Sequence, residues 1–309
     1  MLKKSNNGQA IILPSHRNLL VAAAVFSTLL IAMGGILCVT QSIRNCPDWP
    51  GCFGKVLPPP ETGPILEYTH RFLAGVSGLL ILSVAAVGML RVPRLRWISI
   101  PPLVALVLLL EVSYFGARVV LYGLAPGWAA VDVGSALLVV ALMVTSAVYA
   151  SRHVKNPGLE DQPSFKSTTT KLLLVTVSVV FVVLFSGVLV AGKGSITGCL
   201  GWPIYNLQQF QLDGHLPLNI LRLALSIIGV VLLILVLVVS WQRRHKRRDV
   251  YDLARWVGLA ALLEGLLQIL LLVFGLVTGL LLVYTVVAAA FWAFLIGLLV
   301  KTSLPVASD

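Results

Sequence analysis

Residues 46–71 read CPDWPGCFGKVLPPPETGPILEYTHR, and this stretch joins two long apolar segments of the chain. Glu67 and His70 stand near its end, where the second apolar segment begins. Because residues three apart on a helix share a face, the spacing predicts that these two side chains lie together. A histidine inside a membrane is costly without a partner, so His70 is a candidate functional residue. The alternative is a histidine that packs between helices and bonds to a neighbour.

The composition predicts a membrane protein. Hydrophobic residues make up 58% of the 309 residues and charged residues 11%, against roughly 25% charged residues in soluble proteins. The first apolar segment is too long for the core of a signal peptide, so we interpret it as a retained span. Eight segments approach the ~20 residues that a helix needs to cross a bilayer. The predicted fold is an all-α polytopic membrane protein with helices at approximately residues 18–41, 66–90, 97–122, 128–150, 171–192, 217–241, 254–274 and 280–300.

The basic residues predict the orientation. Most of the 23 Lys and Arg lie on one side if the N-terminus is cytoplasmic, so the positive-inside rule places both termini in the cytoplasm and the 42–65 and 193–216 connections outside. This orientation fits a bacterial inner membrane. The net charge of +11 therefore reflects topology. The run RRHKRR at 243–248 directly follows a span, which indicates contact with anionic lipid and not with nucleic acid.

The chain contains an internal repeat. A shift of 153 residues places residues 33–37 over 186–190 and residues 46–52 over 199–205, where cysteine, tryptophan and proline coincide. Each copy holds four helices, an even number, so a pseudo-twofold axis along the membrane normal should relate two four-helix bundles. The predicted units are a cytoplasmic N-terminal segment (1–17), an N-terminal bundle (18–150), a cytoplasmic linker (151–170), a C-terminal bundle (171–300) and a cytoplasmic tail (301–309).

The four cysteines fall into two groups. Cys46 and Cys52 share one outer loop, where a disulfide bond can persist. A structural disulfide and a redox-active dithiol are equally compatible with this sequence, because a sequence does not set a reduction potential. Cys38 and Cys199 are left over, and Cys38 is expected to be an inert packing residue in a helix.

These motifs together resemble the heme A synthase family of cytochrome oxidase assembly enzymes. The shared features are two tandem four-helix repeats, the CPDWPxC outer loop and the E-Y-x-H-R-x-L-A helix start, and the resemblance covers about residues 18–300. It implies oxidation of a methyl group of heme O to a formyl group, and two heme-binding bundles with axial histidines from the second and fourth helix of each. By this resemblance His70 would ligate heme iron, Glu67 would be the catalytic carboxylate beside the substrate porphyrin, and Cys46 and Cys52 would be the paired loop cysteines.

The chemistry of these side chains agrees with the implied roles. A neutral imidazole is a good axial ligand for heme iron. Glu67 is suited to managing protons during a hydroxylation. Arg71 and Arg222, which a shift of 151 residues aligns, are suited to binding heme propionates. The alternative for both arginines is snorkelling to the lipid headgroups.

Three of the four axial histidines that the resemblance implies are missing. Leu221 stands at the position equivalent to His70, Asp132 replaces the histidine of the fourth helix, and Tyr284 replaces that of the eighth. Leu218 likewise stands where the first half has its glutamate. The sequence therefore predicts at most one heme of the B, O or A type, in the N-terminal bundle. His70 would hold it, either alone or with Asp132 supporting a water ligand. Tyr284 is expected to be a packing residue, with ligation of iron as the alternative.

Three further acidic groups lie inside predicted helices. Asp132 needs a partner in the bilayer, and His70, Arg118 or a cavity water are the candidates. Glu111 and Glu264 are separated by the repeat distance. We expect both to donate interhelical hydrogen bonds in their protonated form.

The remaining histidines lie in polar segments. His215 precedes the sixth predicted helix and is expected to be solvated, with a propionate or an iron at the bundle mouth as the alternative. His16, His153 and His245 lie among basic residues and are also expected to be solvated.

The sequence is compatible with two functions. The leading hypothesis is a heme A synthase-type protein that handles heme in its N-terminal bundle, with heme, membrane lipid and cytochrome oxidase assembly proteins as partners. The alternative is a non-catalytic member that serves as a structural or assembly subunit of a respiratory or other membrane complex. A transporter is less well supported, because no pair of broken helices is visible at mid-membrane. The sequence leaves enzyme activity open, because three of the four implied axial histidines are missing.

Overall fold

The computed structural model describes residues 12–156, 163–190, 199 and 216–305. Helices dominate these residues, and no strand occurs among them. The eight helices are α1 (Pro14–Val39), α2 (Thr62–Arg91), α3 (Arg96–Tyr122), α4 (Pro126–Lys155), α5 (Thr168–Val190), α6 (Leu216–Gln242), α7 (Arg248–Phe274) and α8 (Thr278–Ser303). All eight are long and apolar enough to cross a bilayer. The prediction of an all-α polytopic membrane protein is confirmed.

The helix boundaries follow local chemistry. Gly123 and Gly275 follow the last residues of α3 and α7 with φ of 76° and 79°, a backbone conformation that glycine adopts without steric cost. Gly275 therefore divides the long apolar stretch at 254–300 into two helices, as predicted. The helices α2 and α7 begin four and six residues before the predicted positions 66 and 254, because backbone hydrogen bonding continues into polar residues beyond the apolar span.

Neighbouring helices form two closed circuits. In the first half α1 packs on α2, α2 on α3, α3 on α4, and α4 again on α1. The second half repeats this order from α5 to α8. In the first circuit α2 and α4 therefore lie diagonally across from each other. The ends at which α1 begins and α8 ends form what we term the basic end, and the opposite end, which carries residues 40–61, is the loop end.

The two halves meet along α1, α4, α5 and α8. The contacting pairs are α1 with α8, α4 with α5, and α4 with α8, and one continuous apolar core extends across them. Trp292 of α8 is almost fully buried and donates an indole hydrogen bond of 3.0 Å to the Leu137 carbonyl of α4. The pseudo-twofold axis and the domain boundaries at residues 17, 150, 170 and 300 stay predictions.

Two histidines differ from their expected environment. His16 and His153 are 6% and 9% exposed, so the prediction that they are solvated is wrong. Both lie on helices whose ends pack against other helices, and their rings are covered there. His245 is exposed in the turn between α6 and α7, as predicted.

Candidate functional site

A compact loop follows α1 at the loop end. Cys46 and Cys52 form a disulfide bond with Cα atoms 4.8 Å apart, which confirms the pairing that the resemblance implied. Asp48 lies inside the resulting ring and accepts hydrogen bonds from the amides of Phe53 (2.6 Å) and Gly54 (2.7 Å). These bonds, that of Gly54 above all, lower the pKa of the Asp48 carboxyl below its usual value, because they favour the charged form.

Glu67 connects this loop to the first turns of α2. Its side chain is buried, and its Oε2 accepts hydrogen bonds of 2.7 Å from the backbone amides of both Asn45 and Cys46. Its Oε1 pairs with Nη2 of Arg71, one turn further along the helix, at 2.5 Å. Three donors therefore surround one carboxylate. This arrangement satisfies the charge that burial would otherwise leave costly.

Arg71 completes the connection from the helix to the loop. Its Nη1 donates to the carbonyls of Asp48 (2.7 Å) and Pro50 (3.3 Å) and to that of Gly51. Its side chain is 12% exposed, so it does not snorkel. Both Nη atoms are bonded to Glu67 or to the loop. Propionate binding by Arg71 stays a prediction, and it would require Arg71 to replace some of these bonds with bonds to the propionate. We term Glu67 and Arg71 the loop clamp.

His70 faces the first helix from the same turn of α2. Its Cε1 lies 3.5 Å from the position that a Cβ on Gly34 of α1 would occupy, so the ring packs closely against α1. Its Nδ1 is buried and has no hydrogen-bond partner among the described residues. A buried, unpartnered imidazole nitrogen is costly. The ring therefore keeps bonding capacity that the described residues do not use, and a neutral imidazole is a good axial ligand for heme iron.

Asp132 lies on α4, diagonally across the first circuit from α2. Its Oδ1 is buried and has no hydrogen-bond partner within the described part of the chain. Its charged neighbour is Glu111 of α3, whose Oε2 accepts a 3.0 Å bond from Ser135. The Arg118 guanidinium lies over the Tyr122 ring instead, 5.3 Å from its centroid. The prediction of Arg118 as the partner of Asp132 is therefore not supported. Glu111 does make an interhelical hydrogen bond, but it accepts this bond from Ser135 and is not the expected donor.

The second half has a different polar interior. Arg222 of α6 is 2% exposed and donates through Nε and Nη2 to the Val183 carbonyl of α5, at 3.3 Å each. Snorkelling of Arg222 is therefore wrong, since its guanidinium turns into the helices. Glu264 of α7 lies beside Tyr284 of α8, and the Tyr284 hydroxyl also accepts a 3.3 Å bond from the Gln268 amide.

These residues do not fit a heme ligated by two histidines. Leu221, equivalent to His70, is 54% exposed on the outside of α6. Tyr284 is buried and hydrogen-bonded to its neighbours, in agreement with its expected packing role. His215 lies outside the described ranges, so its role stays a prediction. The loop that carries Trp202 lies outside these ranges as well.

A second disulfide bond links distant parts of the chain. Cys38, near the end of α1, is bonded to Cys199, with Cα atoms 5.5 Å apart. The expectation that Cys38 is an inert packing residue is wrong. The repeat aligns Cys199 with Cys46, so the sequence pattern indicates no partner for Cys38. Only the shared position of Cys38 and Cys199 at the loop end could have suggested that they pair.

Sequence comparison finds relatives along most of the chain. The model of a family described as cytochrome oxidase assembly protein (COX15-CtaA) matches residues 17–299. A protein named heme A synthase from Exiguobacterium sibiricum is 28% identical over 57% of this chain and 59% of its own length, and one from another Exiguobacterium species is 26% identical over 62% of each. These two alignments span less than two thirds of those relatives. A heme A synthase from Alkalihalophilus pseudofirmus is 23% identical over 87% of this chain and 89% of its own length.

Proposed function

The chain belongs to the cytochrome oxidase assembly protein family, and from this premise we propose that it is a heme A synthase-like membrane protein that handles heme in its first half. The observation that carries this proposal is His70, whose buried Nδ1 has no partner among the described residues. The names of the relatives support heme as the ligand class. The proposed reaction is the oxidation of a methyl group of heme O, the substrate, to a formyl group.

The proposed roles follow from the positions of the side chains. His70, which faces α1 from α2, would hold the porphyrin through its iron in the first half. The iron supplies the site for axial coordination and for redox chemistry. Glu67 is one turn away on the same face of α2, so its carboxylate is placed to accept a proton near the ring. Asp132 of α4 has a buried Oδ1 without a hydrogen-bond partner among the described residues, and we propose that it would hydrogen-bond a water in the interior of the first circuit.

The second half serves as a scaffold in this proposal. Leu221 points outward, and Tyr284 is engaged with Gln268. Arg222 and Glu264 are both buried in this half. We therefore propose one heme per chain.

A second candidate function has a specific observation in its favour. Glu67 and Arg71 bond to each other and to the backbone of the outer loop, which is a structural use of both residues. A member of the family that keeps only this architecture would act as a non-catalytic subunit or assembly factor of a respiratory complex. Integral membrane location is common to both functions. A bacterial inner membrane, cytoplasmic termini and assembly proteins as partners belong to the proposal.

Purification of the wild-type protein and of His70→Ala tests the choice. The heme-handling function predicts about one heme per chain and an absorption spectrum that is lost or shifted in His70→Ala, since an axial ligand sets the electronic state of the iron. His245→Ala, at an exposed histidine, is the matched control and should leave the spectrum unchanged. A colourless wild-type protein that co-purifies with a larger complex would support the subunit function and overturn the heme proposal.

A further inference from the structure

A cavity opens at the basic end of the second half. Its volume is about 570 Å³, and it lies where α5 and α7 begin and α6 and α8 end. Three cationic side chains line it: Arg243, Lys246 and Arg247. The remaining lining is mainly hydroxyl-bearing, and no acidic residue is among the described lining residues. The chemistry of the wall is therefore that of an anion site.

One hydroxyl group in this wall, that of Thr169, has no hydrogen-bond partner among the described residues. Thr169 lines the cavity and is 5% exposed, and its Oγ1 is buried without a hydrogen-bond partner among the described residues. Most hydroxyl groups inside helices bond to the carbonyl four residues earlier, as Ser240 does in the same wall. A buried hydroxyl that bonds to nothing costs free energy unless a ligand satisfies it. Thr169 thus places a hydroxyl group with unused hydrogen-bonding capacity at the wall of the cavity.

The start of α5 adds to the positive potential at this point. Thr169 is the second residue of this 23-residue helix, and the first amide groups of a helix have no acceptor within the helix and carry partial positive charge. Ser167 accepts a 3.1 Å hydrogen bond from the Thr170 amide. The earlier amides remain directed toward the cavity end of the helix, as in sites that bind phosphate.

The three cations are not equivalent. Arg247 is committed to the fold: it pairs with Asp249 at 3.2 Å and donates to the carbonyls of Lys301 (2.8 Å) and Leu304 (3.2 Å), which ties α7 to the end of α8. No ion pair joins Arg243 or Lys246 to an acidic residue within the described ranges. Both lie in the turn after α6, so their charges are the ones available to a ligand.

We propose that this cavity binds a phosphoryl group, and that a membrane phospholipid with an anionic headgroup supplies it. The outer surface of α6 leads directly to the rim and is apolar, with Ile234, Val238 and Trp241 each 42% to 55% exposed. Acyl chains can lie along this surface while the phosphate reaches the cavity. The Arg244 guanidinium lies 4.8 Å from the centre of the Trp241 ring, at the level where tryptophan and cationic residues meet the headgroups. Basic pockets at helix ends bind such headgroups in other membrane proteins.

Native mass spectrometry of the delipidated full-length protein, titrated with phosphatidylglycerol, tests the site. The double variant Arg243→Ala/Lys246→Ala should weaken binding about thirtyfold, as expected for the loss of two cations of about 1 kcal/mol each near the membrane surface. The double variant Arg94→Ala/Arg96→Ala removes two exposed cations from the same end of the first half and should bind as wild type does. Thr169→Val, which changes no charge, should weaken binding about tenfold by removing one hydrogen bond to an anion.

Further titrations separate the sources of the phosphoryl group. Phosphatidylcholine, which is neutral overall, should bind much more weakly than phosphatidylglycerol. If inorganic phosphate displaces the lipid and protects the protein from thermal unfolding equally well, the phosphoryl site stands and its ligand is free phosphate. If Arg243→Ala/Lys246→Ala and Arg94→Ala/Arg96→Ala weaken lipid binding equally, the lipid is attracted by the positive charge of the whole basic end. That result would overturn the proposal. If Thr169→Val and Arg243→Ala/Lys246→Ala each bind phosphatidylglycerol as tightly as the wild-type protein does, the proposal is overturned as well.

Discussion

Cys38 and Cys199 are joined by a disulfide bond although 161 residues separate them in the sequence. The bond connects the end of α1, in the first half, to the connection between α5 and α6, in the second. It therefore adds a covalent link between halves that also meet through apolar helix faces and through the buried hydrogen bond from Trp292 to Leu137.

A cleavage experiment tests this link. We expect that a protease site inserted between Lys155 and Thr168 will yield one band on a denaturing gel without reductant and two bands with it, because the disulfide bond holds the fragments together. Cys38→Ser should give two bands under both conditions. Cys46→Ser/Cys52→Ser, which removes the short-range disulfide only, should behave as wild type. Separation of the wild-type fragments without reductant would contradict the Cys38–Cys199 bond.

The loop clamp gives a prediction for Glu67. We expect Glu67→Gln to abolish heme A formation while bound heme remains, because the amide cannot accept a proton as a carboxylate does. The amide oxygen can still accept bonds from the Asn45 and Cys46 amides, so the loop should stay in place. Heme content by absorption spectroscopy and product by chromatography measure the two quantities.

Gly63→Ala is the matched control for this variant. A Cβ at Gly63 would overlap the Asn45 side-chain amide, so the substitution should displace the loop without changing the carboxylate. Faster proteolysis of the loop with retained heme A formation is the expected result. Full activity in Glu67→Gln would remove Glu67 from the chemistry and leave it the structural role that its hydrogen bonds describe.

Asp48 predicts an acid-sensitive loop. Its pKa is lowered in the folded protein, chiefly by the Gly54 amide, so its contribution to stability is present above the unfolded pKa of about 4 and is lost as the pH falls through the lower folded value. Pepsin cleavage next to the exposed Phe53 should accelerate over that range. Asp48→Asn lacks the charge and should be cleaved readily throughout. A cleavage rate independent of pH in the wild-type protein, after correction for the activity of pepsin, would contradict the assignment.

Trp292 predicts the strength of contact between the halves. Trp292→Phe removes the hydrogen bond to the Leu137 carbonyl and reduces packing against the Phe181 ring, whose centroid lies 5.9 Å away. We expect the free energy of unfolding to fall by about 0.5 to 1.5 kcal/mol from the hydrogen bond alone. Titration with SDS in mixed micelles measures the change. Trp256→Phe, at a residue 59% exposed, should change stability little. If Trp292→Phe and Trp256→Phe lower the free energy of unfolding equally, the contact between Trp292 and α4 does not specifically stabilise the two halves.

The sequence predicted the helices better than the contacts between them. Apolar length identifies a span, and glycine positions such as Gly275 identify its end, because both are local properties. The partners of Arg71 are not local: its donors meet the carbonyls of Asp48, Pro50 and Gly51, and an arginine at a helix end gives no sign of this. Propionate binding was the more familiar use of such a residue. The loop disulfide Cys46–Cys52 spans six residues and was within reach of pattern reasoning.

Sites assembled from distant segments were missed for the same reason. The basic cavity takes residues from four helix ends, and in the sequence Arg243 and Lys246 only extend a run of positive charge. Thr169 carries no motif, and its significance lies in a hydroxyl group that the fold covers without supplying an acceptor. His16 and His153 were misjudged because a basic neighbourhood in sequence does not reveal which helix will cover the ring.

The bond between Cys38 and Cys199 also depends on the orientation in which the chain is inserted into the bilayer. Thiols in the two repeats can meet only when both have been delivered to the same compartment, so a polypeptide threaded with one repeat upside down is unable to close the bridge. Every chain in which this bond is closed therefore has both repeats inserted with the same orientation.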